Sequence, residues 1–151
     1  MKAMVLNRVV DLNVEQAPLT WMELPDPVPG PNDILLKVSA CGVCRTELDE
    51  IEGRTPPSHY PMIPGHQVVG HVAQTGDNAR AFACGDRAGI AWIYSACGAC
   101  AFCADGNENL CPHFQATGRD AAGGYAQFIT VREDYAHRIP DRFSDAQAAP
   151  L

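Results

Sequence analysis

Long apolar runs and an excess of basic residues are both missing from this 151-residue sequence. No stretch of about 18 apolar residues occurs, so the sequence excludes a membrane-spanning helix. Arg8 and Asp11 come too early for the apolar core of a signal peptide. Eleven basic against eighteen acidic side chains give a net charge of −7, and such a surface repels nucleic-acid phosphates. The sequence therefore predicts a cytoplasmic protein with neither a membrane nor a nucleic acid as its partner.

Glycine and proline are plentiful instead, with 13 and 12 residues, which favours turns and short strands over a helix bundle. The prolines of residues 54–64 predict a loop. Short helices are predicted at 44–52 and after Ser144, whose side chain suits a helix N-cap. We therefore predict a mostly β, barrel-like domain with short helices. Its strands are predicted at 1–6, 33–40, 67–73, 85–93 and 125–131.

Four of the seven cysteines form the pattern C-x2-C-x2-C-x7-C, namely Cys97, Cys100, Cys103 and Cys111. Tetrahedral zinc takes four thiolates, and two-residue spacers let a tight turn present successive sulfurs to one ion. Because the lobe at about 95–112 offers little apolar material for a core, the metal itself would hold it together. The preferred interpretation is a structural zinc site. An iron–sulfur cluster and four buried or disulfide-bonded cysteines are the alternatives.

Cys44 and His66 are a second, separate pair of candidate metal ligands. Cys44 follows a predicted strand and begins a predicted helix, where backbone N–H groups favour a thiolate. An isolated histidine is more often an ordinary surface or core residue, and a lone cysteine an ordinary small apolar side chain. The residues alone therefore leave this metal site open. Cys41 and Cys44 form C-x-x-C, but no βαβ unit surrounds them, so a redox motif is discounted; Cys84 is predicted to be a free thiol.

Taken together, the motifs resemble the N-terminal part of the zinc-dependent medium-chain alcohol dehydrogenases, whose N-terminal catalytic domain is a GroES-like β-barrel. The resemblance implies such a barrel over residues 1–151, in a parent enzyme that transfers hydride between a small alcohol or aldehyde and NAD(P). The motifs that carry it are Pro27-Val28-Pro29-Gly30-Pro31, Cys41-Gly42-Val43-Cys44-Arg45-Thr46, Pro64-Gly65-His66, Gly85-Asp86-Arg87, the four cysteines and Gly123-Gly124-Tyr125-Ala126.

The resemblance also implies roles for individual residues. Cys44 and His66 would bind a catalytic zinc, and Thr46 would receive the proton of the substrate hydroxyl. Arg45 would contact a cofactor phosphate. Trp92 would line the substrate pocket and favour slim primary alcohols. Two zinc ions per full-length chain are implied, one structural and one catalytic.

Three positions depart from the family pattern. Gln67 stands where the family usually has a glutamate next to its zinc histidine, which removes a charge near the zinc ligands. Glu47 replaces an aspartate and reaches further toward His66. Asp49 stands where some members carry a histidine that relays protons.

The sequence contains no G-x-G-x-x-G, so we expect the Rossmann cofactor domain to be absent from this chain. The third catalytic zinc ligand, a cysteine in the family, is also missing. We therefore expect a catalytic-domain fragment, inactive alone, of an enzyme that forms a homo-oligomer. A zinc-stabilised GroES-like binding module without redox activity is one alternative, and a related polyol dehydrogenase or reductase is another.

Overall fold

A computed structural model describes all 151 residues as nine short strands, three short helices and two 3-10 turns. The predicted mostly β architecture is confirmed. The strands are β1 (Lys2–Leu6), β2 (Leu19–Glu23), β3 (Asp33–Cys41), β4 (Val68–Thr75), β5 (Arg87–Ile90), β6 (Ile93–Ser95), β7 (Gln115–Ala116), β8 (Phe128–Arg132) and β9 (Ala136–Arg138). The helices are α1 (Arg45–Ile51), α2 (Ala101–Ala104) and α3 (Asp145–Ala148), and the 3-10 turns are Glu108–Leu110 and Glu133–Tyr135.

A five-stranded antiparallel sheet in the order β8-β3-β4-β5-β9 forms the body of the domain. The β3–β4 ladder shifts register between Leu35 and Leu36 and again between Val38 and Ala40. Such irregularities bend a strand and increase its twist, so the sheet curls into a half-barrel. The main core packs on this sheet and consists of Ile34, Leu36, Val68, Val72, Ala79, Phe82, Ala88, Ile90, Ile129 and Val131.

The pair β1–β2 is joined by single backbone bridges to the segments that precede β8 and β4. Ala3 pairs with Ala126, and Leu6 pairs with Met62. A third, two-stranded sheet joins β6 to β7. None of the helices is long and apolar enough to cross a bilayer.

The strand predicted at 85–93 is divided in two, which is a correction to the sequence analysis. β5 ends at Ile90, and β6 begins at Ile93 in another sheet. Thr117 holds the break open, since its N–H donates to the Trp92 carbonyl at 2.9 Å and its hydroxyl donates to the Ala91 carbonyl at 2.9 Å. The alternation of apolar residues continues across the break, so periodicity could not reveal it.

The last predicted strand is shorter at its start than expected, because β8 begins only at Phe128. The preceding residues bond to the loop before β4 instead. Gly123 N–H donates to the Ile63 carbonyl at 2.7 Å, and Tyr125 N–H donates to the Pro64 carbonyl at 3.0 Å. This segment therefore supports the loop that carries His66.

Candidate metal centres

The sulfur atoms of Cys97, Cys100, Cys103 and Cys111 lie within 4.8 Å of one another. Cys100 Sγ and Cys103 Sγ are 3.5 Å apart, and Cys97 Sγ and Cys103 Sγ are 3.9 Å apart. Four thiolates at 2.3 Å from a tetrahedral zinc ion stand about 3.8 Å from each other. The cluster therefore has the ligand set and the spacing of a structural zinc site.

Backbone N–H groups favour the ionised form of one thiol of this cluster, Cys97. Those of Ala99 and Cys100 stabilise the Cys97 thiolate and lower its pKa to about 6. Desolvation and the contact with Cys100 raise the pKa of Cys103 to about 12. All four sulfurs can ionise together only around a cation, as a metal site requires.

The lobe around the four cysteines has almost no core of its own. α2 and the neighbouring 3-10 turn contain no buried residue, and their largest apolar side chains, Phe102 and Leu110, are exposed. Among the ligands, only Cys111 is buried. A metal ion held by the four cysteines would therefore replace the apolar core that the lobe lacks.

Cys44 and His66 meet where β3 ends and β4 begins. The two strands are paired antiparallel, with Cys41 opposite Val68, so the turn after β3 and the loop before β4 lie side by side. Cys44 is the N-cap of α1, and its sulfur accepts from Thr46 N–H at 3.3 Å. Cys44 Sγ lies 3.4 Å from His66 Nε2.

Glu47 holds both ligands in place. Its Oε2 accepts from the Cys44 backbone N–H at 2.7 Å, and its Oε1 lies 2.8 Å from His66 Nδ1. Burial opposes ionisation of Glu47, but the contact with His66 and the Cys44 N–H outweigh it and lower the pKa of Glu47 below its usual value. A carboxylate at Nδ1 keeps the proton there and turns the lone pair of Nε2 toward Cys44.

The separation of Cys44 Sγ and His66 Nε2 fits a shared metal ion. A sulfur and a nitrogen bound to one tetrahedral zinc ion are about 3.6 Å apart, against the 3.4 Å found. His66 and Glu47 are buried and Cys44 is partly exposed, so the ion would face outward on the cysteine side. Cys44 and His66, the two ligands that the family resemblance implies, thus lie close enough to share one ion.

Trp92 lies beside His66. The rings of His66 and Trp92 meet edge to face, with centroids 4.9 Å apart and planes at 76°. Arg45 is exposed on the first turn of α1 and pairs with Asp49 at 3.2 Å. Gln67 lies over the turn that leads to Cys44, because a Cβ added to Gly42 would be 2.6 Å from its Oε1.

Three residues near this site were given no role by the sequence analysis: Glu50, Arg119 and Tyr125. Both carboxylate oxygens of Glu50 and the hydroxyl of Tyr125 are buried without a hydrogen-bond partner. Arg119 places its guanidinium 5.4 Å from the centroid of the Trp92 ring. The spacing of Glu50 three residues after Glu47 on one helix could have indicated a shared face, whereas Arg119 lies in no recognisable motif.

Fold and side-chain clusters together define a β half-barrel with four clustered cysteines and a second group of Cys44, Glu47 and His66, each of which could hold a metal ion. The family model of the alcohol dehydrogenase GroES-like domain matches residues 30–141. The chain belongs to this family.

Relatives and solved structures agree with this assignment. A probable alcohol dehydrogenase of Mycobacterium tuberculosis is 46% identical over 143 residues, which cover 91% of this chain and 41% of that protein. The structure of a zinc-binding dehydrogenase from Sinorhizobium meliloti bound to NADP is 32% identical, with a TM-score of 0.85, over 98% of this chain and 41% of that chain. A thermostable alcohol dehydrogenase from Pyrobaculum aerophilum with bound cobalt and zinc is 27% identical, with a TM-score of 0.87, over all of this chain and 44% of that chain.

This chain therefore spans about two fifths of the length of the proteins that it resembles. The predicted family, the GroES-like fold and the four-cysteine cluster are confirmed.

Proposed function

We propose that this chain is the metal-binding catalytic part of a zinc-dependent alcohol dehydrogenase that interconverts alcohols and aldehydes with NAD(P). The observation that carries the proposal is the approach of Cys44 Sγ to His66 Nε2, at 3.4 Å, with Glu47 fixing the histidine and Trp92 beside it. The names of the relatives, and the NADP bound in one of the solved structures, support it.

The proposed chemistry divides between the bound groups and the side chains. Bound zinc supplies Lewis acidity toward an alcohol oxygen, and the nicotinamide supplies the hydride acceptor. Cys44 and His66 would hold the ion, and the Glu47 carboxylate would keep His66 in the tautomer that can bind it. Thr46, adjacent to the ligand-bearing turn, would accept the substrate proton and pass it on.

Two further residues would shape the surroundings of the reaction. Trp92 would exclude water and narrow the pocket, which favours slim primary alcohols. Arg45, with its exposed side chain on the first turn of α1, would contact a phosphate of the cofactor. Gln67, next to the histidine, would leave the site with one carboxylate fewer than the family pattern.

The remaining features of the enzyme follow from the same proposal. Residues outside this chain would supply the third zinc ligand and the Rossmann domain that binds NAD(P). The complete enzyme would hold two zinc ions per chain, one at the four cysteines. We further propose a cytoplasmic homo-oligomer.

The test is the Thr46→Ala variant in the polypeptide encoded by the complete reading frame. Loss of a positioned acid–base group lowers turnover by roughly 10²–10⁴, so we expect a kcat reduced by that factor with ethanol or 1-propanol. The absorbance of reduced nicotinamide reports the rate. Thr20→Ala, which changes an exposed threonine on β2, is the matched control and should retain the wild-type rate.

Two results would contradict the proposal in different ways. A wild-type enzyme that turns over no alcohol or aldehyde with NAD or NADP would refute the activity. Equal rates for Thr46→Ala and the wild type would refute the role of Thr46 alone. The 151-residue chain by itself should show no turnover, because it contains no G-x-G-x-x-G dinucleotide-binding motif.

A further inference from the structure

Trp92 separates the ligand histidine from an arginine. The indole meets His66 edge to face at 4.9 Å, and the Arg119 guanidinium carbon lies 5.4 Å from the indole centroid. The distance from the Arg119 guanidinium to the His66 ring therefore cannot exceed the sum of these two distances. A small molecule that reaches from the metal ligands along Trp92 would meet this guanidinium.

The turn that carries Arg119 is bonded to two neighbouring segments of the chain. Thr117 bonds to the backbone on either side of the strand break, at Ala91 and Trp92. The Arg119 carbonyl accepts from Ser58 N–H at 3.0 Å. Arg119 therefore keeps its position relative to Trp92 through the backbone and not only through its own side chain.

The guanidinium already has a counterion but retains a free donor. Arg119 Nε and Nη2 both donate to Asp120 Oδ2, at 3.1 Å and 2.6 Å. Nη1 makes no hydrogen bond to the protein, and it is not among the buried polar atoms that lack a partner. The side chain is 27% exposed, so this donor can be reached from outside.

The charge around Arg119 favours a neutral ligand group over an anion. Asp120 neutralises the guanidinium directly, at 2.6 Å. A carboxylate ligand would have to compete with Asp120 for the guanidinium. A hydroxyl, ether or carbonyl oxygen can accept from Nη1 without adding charge.

We propose that Arg119 determines substrate specificity by favouring alcohols and aldehydes that carry a neutral hydrogen-bond acceptor at the end remote from the reacting carbon. The inference rests on the proposed dehydrogenase function and names the substrate class of the same site. Trp92 aligns the carbon chain, and Arg119 Nη1 binds the distal oxygen.

The test compares kcat/KM for pentane-1,5-diol, 1-pentanol and 5-hydroxypentanoate in the complete enzyme. With the diol corrected for its two equivalent hydroxyls, the wild type should prefer it to 1-pentanol. Arg119→Met keeps an apolar stem over Trp92 but removes the donor. It should lower the ratio of diol to 1-pentanol about tenfold, the effect of one hydrogen bond to a charged group in a partly exposed site.

Arg138→Met is a closely matched control. Arg138 likewise lies over an aromatic ring, 4.8 Å from the Phe82 centroid, and pairs with an acidic residue, Asp86, at 3.1 Å. It is on β9, at the edge of the main sheet. Its substitution should leave the ratio of diol to 1-pentanol unchanged.

A binding measurement on the zinc-loaded chain separates this inference from the proposed function. In a Trp21→Phe background Trp92 is the only tryptophan. Titration with pentane-1,5-diol, followed by tryptophan-selective excitation, should give a Kd about tenfold weaker for Arg119→Met. Suppose that the wild type oxidises 1-pentanol and yet has the same ratio of diol to 1-pentanol kcat/KM as Arg119→Met. That result overturns the inference and leaves the proposed function standing. If the wild type oxidises nothing, the function fails, and equal Kd values then overturn the inference as well. A wild-type preference for 5-hydroxypentanoate over the diol overturns the choice of a neutral acceptor.

Discussion

Glu50 is the residue whose burial is hardest to reconcile with its charge. It is fully buried, and neither carboxylate oxygen has a hydrogen-bond partner. Burial first, and then the charge of Glu47, raise its pKa to about 8. At neutral pH Glu50 therefore holds a proton, and Glu47 remains the ionised carboxylate that contacts His66.

This assignment predicts how stability depends on pH. Between the ordinary pKa of 4.5 and the folded-state value of about 8, the folded protein keeps the proton of Glu50 and the unfolded chain releases it. The free energy of unfolding therefore falls as pH rises through this window, by at most about 1.4 kcal/mol per pH unit, and the effect levels off above it. Glu50→Gln removes this dependence and should be about 1–3 kcal/mol more stable than the wild type at pH 8.

Urea unfolding at saturating zinc, between pH 6 and 9, measures the difference. Glu23→Gln, an exposed glutamate on β2, should follow the wild-type curve throughout. A constant difference between Glu50→Gln and the wild type over this range would show that Glu50 is ionised in the folded protein.

At the scale of elements, the turn from Ala116 to Ala121 positions the walls of the metal site. Gly118 has a φ of +85°, and a Cβ added there would lie 2.8 Å from the backbone nitrogen of Gly65, directly before His66. The turn thus touches the histidine loop on one side and supports Trp92 through Thr117 on the other. Its shape is set by contacts between segments that are distant in the sequence.

Gly118→Ala should therefore destabilise the protein by more than its backbone angle alone requires. Gly85 is the matched control, because its φ is +93° and an added Cβ there would meet nothing within 4 Å. Gly85→Ala should cost about 1–2 kcal/mol for the left-handed conformation. Gly118→Ala adds the clash with Gly65. It should therefore lower the free energy of unfolding by at least about 1 kcal/mol more than Gly85→Ala does.

Chemical denaturation of both variants and the wild type measures these costs. Equal decreases in the free energy of unfolding for the two alanine variants would mean that the loop carrying Gly65 and His66 shifts to accommodate the added methyl group. That outcome would contradict the tight packing of the turn against Gly65.

The sequence predicted those elements whose cause is local. Ser144 caps α3 with a reciprocal bond to Gln147, as predicted, and Cys44 begins α1. The division of the strand at Trp92 could not be predicted, because Thr117, 25 residues later, holds it open. The position of Arg119 near Trp92 could not be predicted either, because only the folded chain brings the two residues together.

For the metal sites the same distinction holds. The four cysteines lie within 15 residues of one another, so their spacing alone indicated a shared ion. Cys44 and His66 are 22 residues apart, and the pairing of β3 with β4 is what brings them together. Their residues alone left the site open, and only the family resemblance pointed to it.

At the scale of the whole molecule, the two metal sites differ in what surrounds them. The site at Cys44 and His66 is built on the main sheet and a capped helix. The four-cysteine lobe is built on α2 and a 3-10 turn without buried residues. Removal of a ligand should therefore affect structure in the lobe much more than in the barrel.

Cys103→Ser should strip about one zinc ion per chain and abolish protection of the amides of residues 97–111 against hydrogen exchange, because little apolar burial remains there. The amides of β3 and β4 should keep their protection. Cys84→Ser is the matched control, since Cys84 is an exposed free thiol outside both clusters. Iron in elemental analysis, or an unchanged zinc content in Cys103→Ser, would contradict the structural zinc assignment.

The bridging position of Glu47 has a consequence for the order in which the protein acquires its metals. One carboxylate fixes the backbone of Cys44 and the ring of His66, so the barrel assembles these ligands as it folds, before any ion arrives. In the proposed enzyme, the metal would therefore enter and leave that site without refolding. The lobe has no such scaffold and must capture its ion while it folds. In a cell short of zinc, the lobe would therefore be the part of the newly made chain that fails first, and the site at His66 could still be filled once the supply recovers.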